Sequence, residues 1–177
     1  MFDPTVYENL KVVLEGAVYD LDLSGEILVT NRSDVMDLSS MGRHYRIRFV
    51  LRGGEENTAS PWAELHLTAE LEDLAAELLS RKGAEPGCML TVRFGFLVGD
   101  PSRDCPAVGS SLESIWSGRP LITQTLSYVF GSENEGWHNE VLLEFGRKVN
   151  ESHLDDFEGL LEHTLLSLSV LRDNHAF

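Results

Sequence analysis

The sequence predicts an α+β domain: an antiparallel sheet of about six or seven strands, helices packed on one face, and a long helix at the C-terminal end. Three observations lead there. Apolar residues recur at every second position in several short segments, turn formers separate those segments, and other stretches switch to the helical period. A length of 177 residues suits one domain spanning 1–177, with a core large enough to need no staples.

Asp3 and Pro4 suit a helix start, Val6, Leu10, Val13 and Leu14 form its stripe, and Gly16 suits its end. From Ala17 the period changes to two, with Tyr19, Leu21 and Leu23 alternating with Asp20 and Asp22. Ser24 and Gly25 then precede Ile27, Leu28 and Val29, so residues 17–29 read as a hairpin. Turn formers over 31–42 predict a loop or one helical turn.

Strand character returns at 44–51 and 62–68, joined by a polar loop over 53–61. Leu71, Leu74, Leu78 and Leu79 predict a core-facing helix over 70–82, which Gly83 closes. An apolar strand over 88–98 leads into a loop over 99–109 and a short helix over 110–116. Strands over 121–130 and 140–149 follow. The last helix, 151–172, has Leu154, Phe157, Leu161, Leu165 and Leu168 on one stripe, widened by Leu160, Leu166 and Val170.

Two stretches repeat the same order of features. A strand, a glycine-and-acid turn, Trp62, a second strand and Leu71-Glu72-Asp73-Leu74 match a strand, a similar turn, Trp137, a strand and Leu154-Asp155-Asp156-Phe157. The pattern raises an internal ββα duplication, with halves at 17–82 and 88–172. Pairing of the two hairpins would leave one sheet face free of helices.

Twenty-nine acidic against fourteen basic side chains give a formal charge of −15, which repels phosphate backbones and weighs against nucleic acid and anionic membranes as partners. Asp3 stands where a signal peptide carries a cation, and no apolar run reaches spanning length. Cys88 and Cys105 form neither a disulfide framework nor a zinc-binding pair, so a cytoplasmic address is expected. Cys105, beside Asp104, sits in surroundings that disfavour a thiolate.

None of the six histidines stands in a metal-binding helical pair, and no nucleophile elbow, phosphate loop or dinucleotide fingerprint is present. Neither cofactor nor metal is expected, and no catalytic residue is assigned. The aromatic strand around Phe94 and Phe96 lacks the glycine that follows the basic residue in base-stacking RNA-recognition strands.

The most distinctive local feature is basic. His44, Arg46, Arg48 and Arg52 share strand parity, and arginine forks suit carboxylate or phosphate, so this stripe is the candidate ligand site. Asp20, Asp22 and Glu64 compete as simple ion-pair partners. The wide face of the last helix, through Leu161, Leu165 and Leu168, or else a sheet edge, is the candidate self-association surface, with Trp62 and Trp137 as anchors. The functional expectation is a non-enzymatic interaction or regulatory module, acting as a homodimer or on another protein. The alternative is a carrier or sensor of a small anionic molecule, with a pocket between the sheet and the last helix.

Overall fold

The structure, a computed structural model, describes residues 5–53, 60–132 and 135–174. The elements run α1 (Val6–Ser24), β1 (Ile27–Met36), β2 (Arg43–Leu51), β3 (Trp62–Ala69), α2 (Leu71–Leu78), β4 (Cys88–Val98), α3 (Pro101–Trp116), β5 (Leu121–Ser127), β6 (Trp137–Val149), a 3-10 turn (Glu151–His153) and α4 (Asp156–Asn174). The six strands pair antiparallel in the order β1-β2-β3-β4-β6-β5, an α+β fold as the sequence predicts.

Strand alternation decides which side is core. Tyr45, Ile47 and Phe49 of β2, Leu65 and Leu67 of β3, Val92 and Phe94 of β4, and Val141 and Leu143 of β6 are all buried on one face. Helices α1, α4 and α3 lie across that face, and α4 touches both of the others. That central position explains the width of its apolar surface: sheet beneath and a helix on each flank all require apolar contact. The polar residues of α4 in this setting are satisfied locally. Thr164 donates to the Leu160 carbonyl at 2.7 Å, while Ser167 donates to the His163 carbonyl at 2.7 Å and accepts from Trp116 Nε1 at 3.0 Å.

Four expectations are corrected. First, residues 17–23 are helix, and α1 ends at Gly25, whose φ of 85° forms the left-handed cap, rather than at Gly16. Leu10, Leu14 and Val18 are one continuous buried stripe, with Ala17 and Leu21 packed beside it, so the apparent alternation was part of a helical pattern. Thr5 caps the start, its hydroxyl accepting from the Glu8 amide at 3.3 Å; Asp3 and Pro4 lie outside the described residues.

Second, residues 31–36 are strand rather than loop, with Asn31, Ser33 and Val35 opposite Arg48, Arg46 and His44. β1 is an edge strand, and its polar composition concealed it. Third, the turn formers after β4 start a helix. Asp100 accepts from the Ser102 amide at 3.0 Å, Pro101 takes the first helical position, and Asp104 accepts from the Gly99 and Asp100 amides at 3.2 and 2.9 Å. α3 then buries Val108, Leu112 and Trp116.

Fourth, Leu71 and Leu78 of α2 and Leu79 just after it face outward, while α2 buries Asp73 and Ala76. Polar contacts secure it: Asp73 accepts from the Gly87 amide at 3.3 Å and from Lys148 at 2.7 and 2.8 Å, and Glu77 accepts from the Val6 amide at 2.8 Å. The β2-β3-α2 and β5-β6-α4 segments are both hairpin-then-helix units, but α2 has 8 residues and α4 has 19. The acid turn residues compared in the repeat, 55–57 and 133–134, lie outside the described residues.

Candidate functional site

The sheet face opposite α1, α3 and α4 is polar and gathers an unusual set of side chains. His44 of β2 stands opposite Thr68 of β3, Arg46 opposite His66, Arg48 opposite Glu64 and Val50 opposite Trp62. On the far side of β3, Thr91 of β4 stands opposite His66, Arg93 opposite Glu64 and Gly95 opposite Trp62. The two imidazoles lie 5.8 Å apart between centroids, and the Thr68 hydroxyl sits between them, 3.4 Å from His44 Nδ1 and 3.2 Å from His66 Nε2.

Glu64 is only 4% exposed although it belongs to this face. Arg48 donates to it at 3.0 Å, and the Arg48 guanidinium also lies 3.7 Å from the Trp62 ring centroid. Trp62 reaches across β4 over Gly95, where an added Cβ would come within 2.1 Å of the indole. Gly95 therefore provides the space that lets Trp62 and Arg48 lie down on the sheet.

The predicted basic stripe divides into different roles. His44, Arg46 and Arg48 share the open face as expected. Arg48 is committed to Glu64 and Trp62. Arg52 donates to the Ile27 carbonyl at 2.6 Å and to Asp22 at 2.9 Å, which joins the end of β2 to α1. Arg46 is exposed and makes no ion pair or side-chain hydrogen bond among the described residues. Arg93, which sequence reasoning did not single out, donates to Glu140 at 3.0 Å, and its Nε is buried without a partner.

These charges depress one histidine. Burial first, then the neighbouring Arg93, His44 and Arg46, hold His66 down at about 4, so this imidazole is neutral at pH 7. The thiols move the opposite way. Burial and then Asp104 push Cys105 up, and burial followed by Asp73 and Glu77 pushes Cys88 up to about 12, so neither is an activated nucleophile. Among the described residues, no group of three His, Cys, Asp or Glu side chains is placed to hold a metal ion, and no helix is long and apolar enough to cross a membrane.

The predicted self-association surface on the last helix is corrected. Leu161 and Leu168 are 5% and 0% exposed, already packed into their own core, and Leu165 is half-buried beside them. A groove of about 810 Å³ lies open between α1 and α4, with Val13, Ala17, Leu21, Leu161 and Leu165 in its lining. Asp20, Glu26, Asp155, Glu158 and Glu162 also line it, with no lysine or arginine among its described lining residues. Two copies joined there would bring like charges together.

A second cavity of about 510 Å³ lies between the sheet and the start of α4, lined among others by Leu90, Trp116, Phe145, Arg119, Arg147 and His163. It occupies the helix side of the sheet, opposite the basic stripe. The predicted carrier geometry, in which His44, Arg46 and Arg48 fix an anion inside such a pocket, is therefore corrected: cavity and stripe lie on opposite faces.

The two tryptophans also separate. Trp62 lies on the open face, whereas Trp137 faces the core side and meets Tyr128 edge-on at 4.8 Å. Tyr128 begins an exposed apolar run after β5, in which Val129 is 65% and Phe130 91% exposed. β5 itself is the outer strand of the sheet, and residues 120–132 contain no charged side chain.

His66, Thr68, Thr91 and Arg93 had no sequence signal beyond outward strand parity. Their assembly depends on register between β3 and its neighbours, which no spacing along the chain encodes. Compared with known proteins, this chain matches no family model, no characterised relative and no solved structure.

Proposed function

We propose that this protein is a non-enzymatic interaction module of the cytoplasm that self-associates by joining the β5 edges of two copies into one continuous sheet. The observation that carries this reading is the sequence of that edge, Leu121-Ile122-Thr123-Gln124-Thr125-Leu126-Ser127, which is uncharged and close to symmetric about Gln124. In an antiparallel two-fold pairing centred on Gln124, Ile122 meets Leu126 of the second copy and Thr123 meets Thr125. Both are favourable cross-strand pairs, and a two-fold interface requires this reciprocity.

An exposed edge normally carries a lysine, a proline or a bulge that discourages such pairing, and β5 carries none of them. The apolar run Tyr128-Val129-Phe130 extends the same surface, placing Tyr128 opposite Pro120 in that register. The acid-lined groove and the core leucines of α4 favour the edge over the helix as the joining surface.

The test is sedimentation velocity across a wide concentration range, on the wild type and on the Thr123→Lys, Thr125→Lys double variant. Both positions are exposed, and the double substitution opposes like charges twice across the two-fold axis. A concentration-dependent wild-type dimer that the variant loses, with unchanged circular dichroism, supports the proposal. A wild type that stays monomeric, or a variant that dimerises equally well, overturns it.

A further inference from the structure

We propose that the cluster of His44, Arg46, His66 and Thr68 on the open face binds a compact dianionic oxyanion of the phosphate class. This site is separate from the β5 edge and does not depend on self-association. Arg46 supplies an exposed guanidinium with no partner among the described residues. His66 is directly opposite it across the ladder, and His44 and His66 are linked through the Thr68 hydroxyl. A guanidinium fork beside two imidazoles and a hydroxyl supplies several donors to one tetrahedral anion once the contacts through Thr68 give way to it.

Charge balance on this face favours a dianion. Glu64 is engaged by Arg48, and Glu140 by Arg93, so neither carboxylate neutralises Arg46. His66, neutral at pH 7 in the free protein, can take up a proton when an anion arrives. The charged and titratable groups facing His66 are His44 and Arg46 from β2, Glu64 from its own strand and Arg93 from β4. Glu144 of β6 stands opposite Thr91 on the far side of β4. With the cations removed from balance by a bound dianion, His66 gains a proton more readily, so binding and protonation reinforce each other.

The compactness of the cluster favours a single phosphate-type group over an extended acidic peptide. The donors fall on adjacent strands within two ladder positions, with the small hydroxyl residues Ser33 and Thr91 opposite Arg46 and His66 and with Val35 and Met89 opposite His44 and Thr68 at the cluster's margin.

The experiment is an NMR titration of the histidine ring signals of the full chain with sodium sulfate at pH 5.5 and 7.5, then with inorganic phosphate, phenyl phosphate and acetate at pH 7.5. Sulfate keeps its charge across this range, so a pH effect reports on the protein. Saturable shifts of His44 and His66, tighter for sulfate at pH 5.5, are expected. Arg46→Ala is expected to weaken binding about tenfold or more, since a charge-assisted hydrogen bond is lost. Arg52→Ala, far from the cluster, is expected to bind as the wild type does.

Tighter binding of phenyl phosphate than of inorganic phosphate assigns the site to an organic phosphate, and equal binding assigns it to the free ion. Unsaturable shifts, acetate binding as tightly as phosphate, or Arg46→Ala binding unchanged with its fold intact would each overturn the proposal. The Thr123→Lys, Thr125→Lys variant retains phosphate binding if the two sites are independent. It therefore separates failure of this inference from failure of edge association.

Discussion

The two edges of the sheet are built in opposite ways. β1 is bulged between Val29 and Asn31 and turns Arg32 and Asp34 toward α1. There Arg32 pairs with Glu15, while Asp34 accepts from the Tyr7 hydroxyl at 2.9 Å and from Lys11 at 2.8 Å and lies 3.4 Å from Arg43. Arg43 also reaches Glu8, and its guanidinium lies 4.4 Å from the Tyr7 ring centroid. β5 has no bulge against β6 and no charge. A bulged, charged edge resists a second strand, and an unbulged, neutral one lacks that protection. The contrast teaches that a chain of high net charge can still keep one sheet edge free of charge.

The largest expected effect lies beneath both edges. Leu168→Ala removes a fully buried side chain from the central helix and is expected to destabilise the protein by about 2–5 kcal/mol in urea denaturation. A loss below about 1 kcal/mol, accompanied by a change in oligomeric state, would return α4 to the role of an interface and remove the distinction between edge and helix.

Next comes the locked edge. Asp34→Ala leaves Tyr7, Lys11 and Arg43 without their shared acceptor, with an expected loss of about 1–3 kcal/mol. Burial pushes Asp34 up, but hydrogen bonds from Lys11 and Tyr7 outweigh it and hold the carboxyl below its usual range. Glu8 is lowered chiefly by its bond to Lys11. Both carboxyls have folded values below the unfolded ones, so their contribution is present above about pH 4 and is lost as pH falls further. Asp34→Ala should therefore flatten the acid limb of the stability curve. An unchanged limb would show that the lock on β1 is not electrostatic.

The open face sets a second pH window. His66 falls from an ordinary value of 6.5 to about 4 in the folded chain, so between these limits the unfolded chain binds more protons. Stability should therefore decline as pH falls from 6.5 toward 4, and His66→Gln should reduce that decline without altering the limb below it. Measuring the urea midpoint at pH 5 and pH 7 for both proteins checks this, and identical differences would contradict it.

The smallest expected effect on stability is at the bare edge. The Thr123→Lys, Thr125→Lys variant should shift monomer stability by no more than about 0.5 kcal/mol, because both side chains are exposed, while it abolishes association. Phe130→Ser should weaken association without abolishing it, since Phe130 extends the seam but lies outside β5. A large loss of folding stability in either variant would mean that the edge is packed within its own chain.

Sequence by itself determined the α+β class, the position of β2, β3 and β4, and the long final helix, because period-two and helical patterns follow directly from how side chains leave the backbone. It also placed His44, Arg46 and Arg48 on one face. Tertiary structure alone decided that residues 17–23 continue a helix, that residues 31–36 form an edge strand, and that the wide face of α4 is interior. It likewise set His66 opposite Arg46 and Arg93 beyond it on β4, and chose Glu64 for Arg48 and Asp22 for Arg52 among the carboxylate partners the sequence offered. The physical reason is common to all of these: periodicity along a chain reports which residues share a side, whereas strand order and register decide what that side meets.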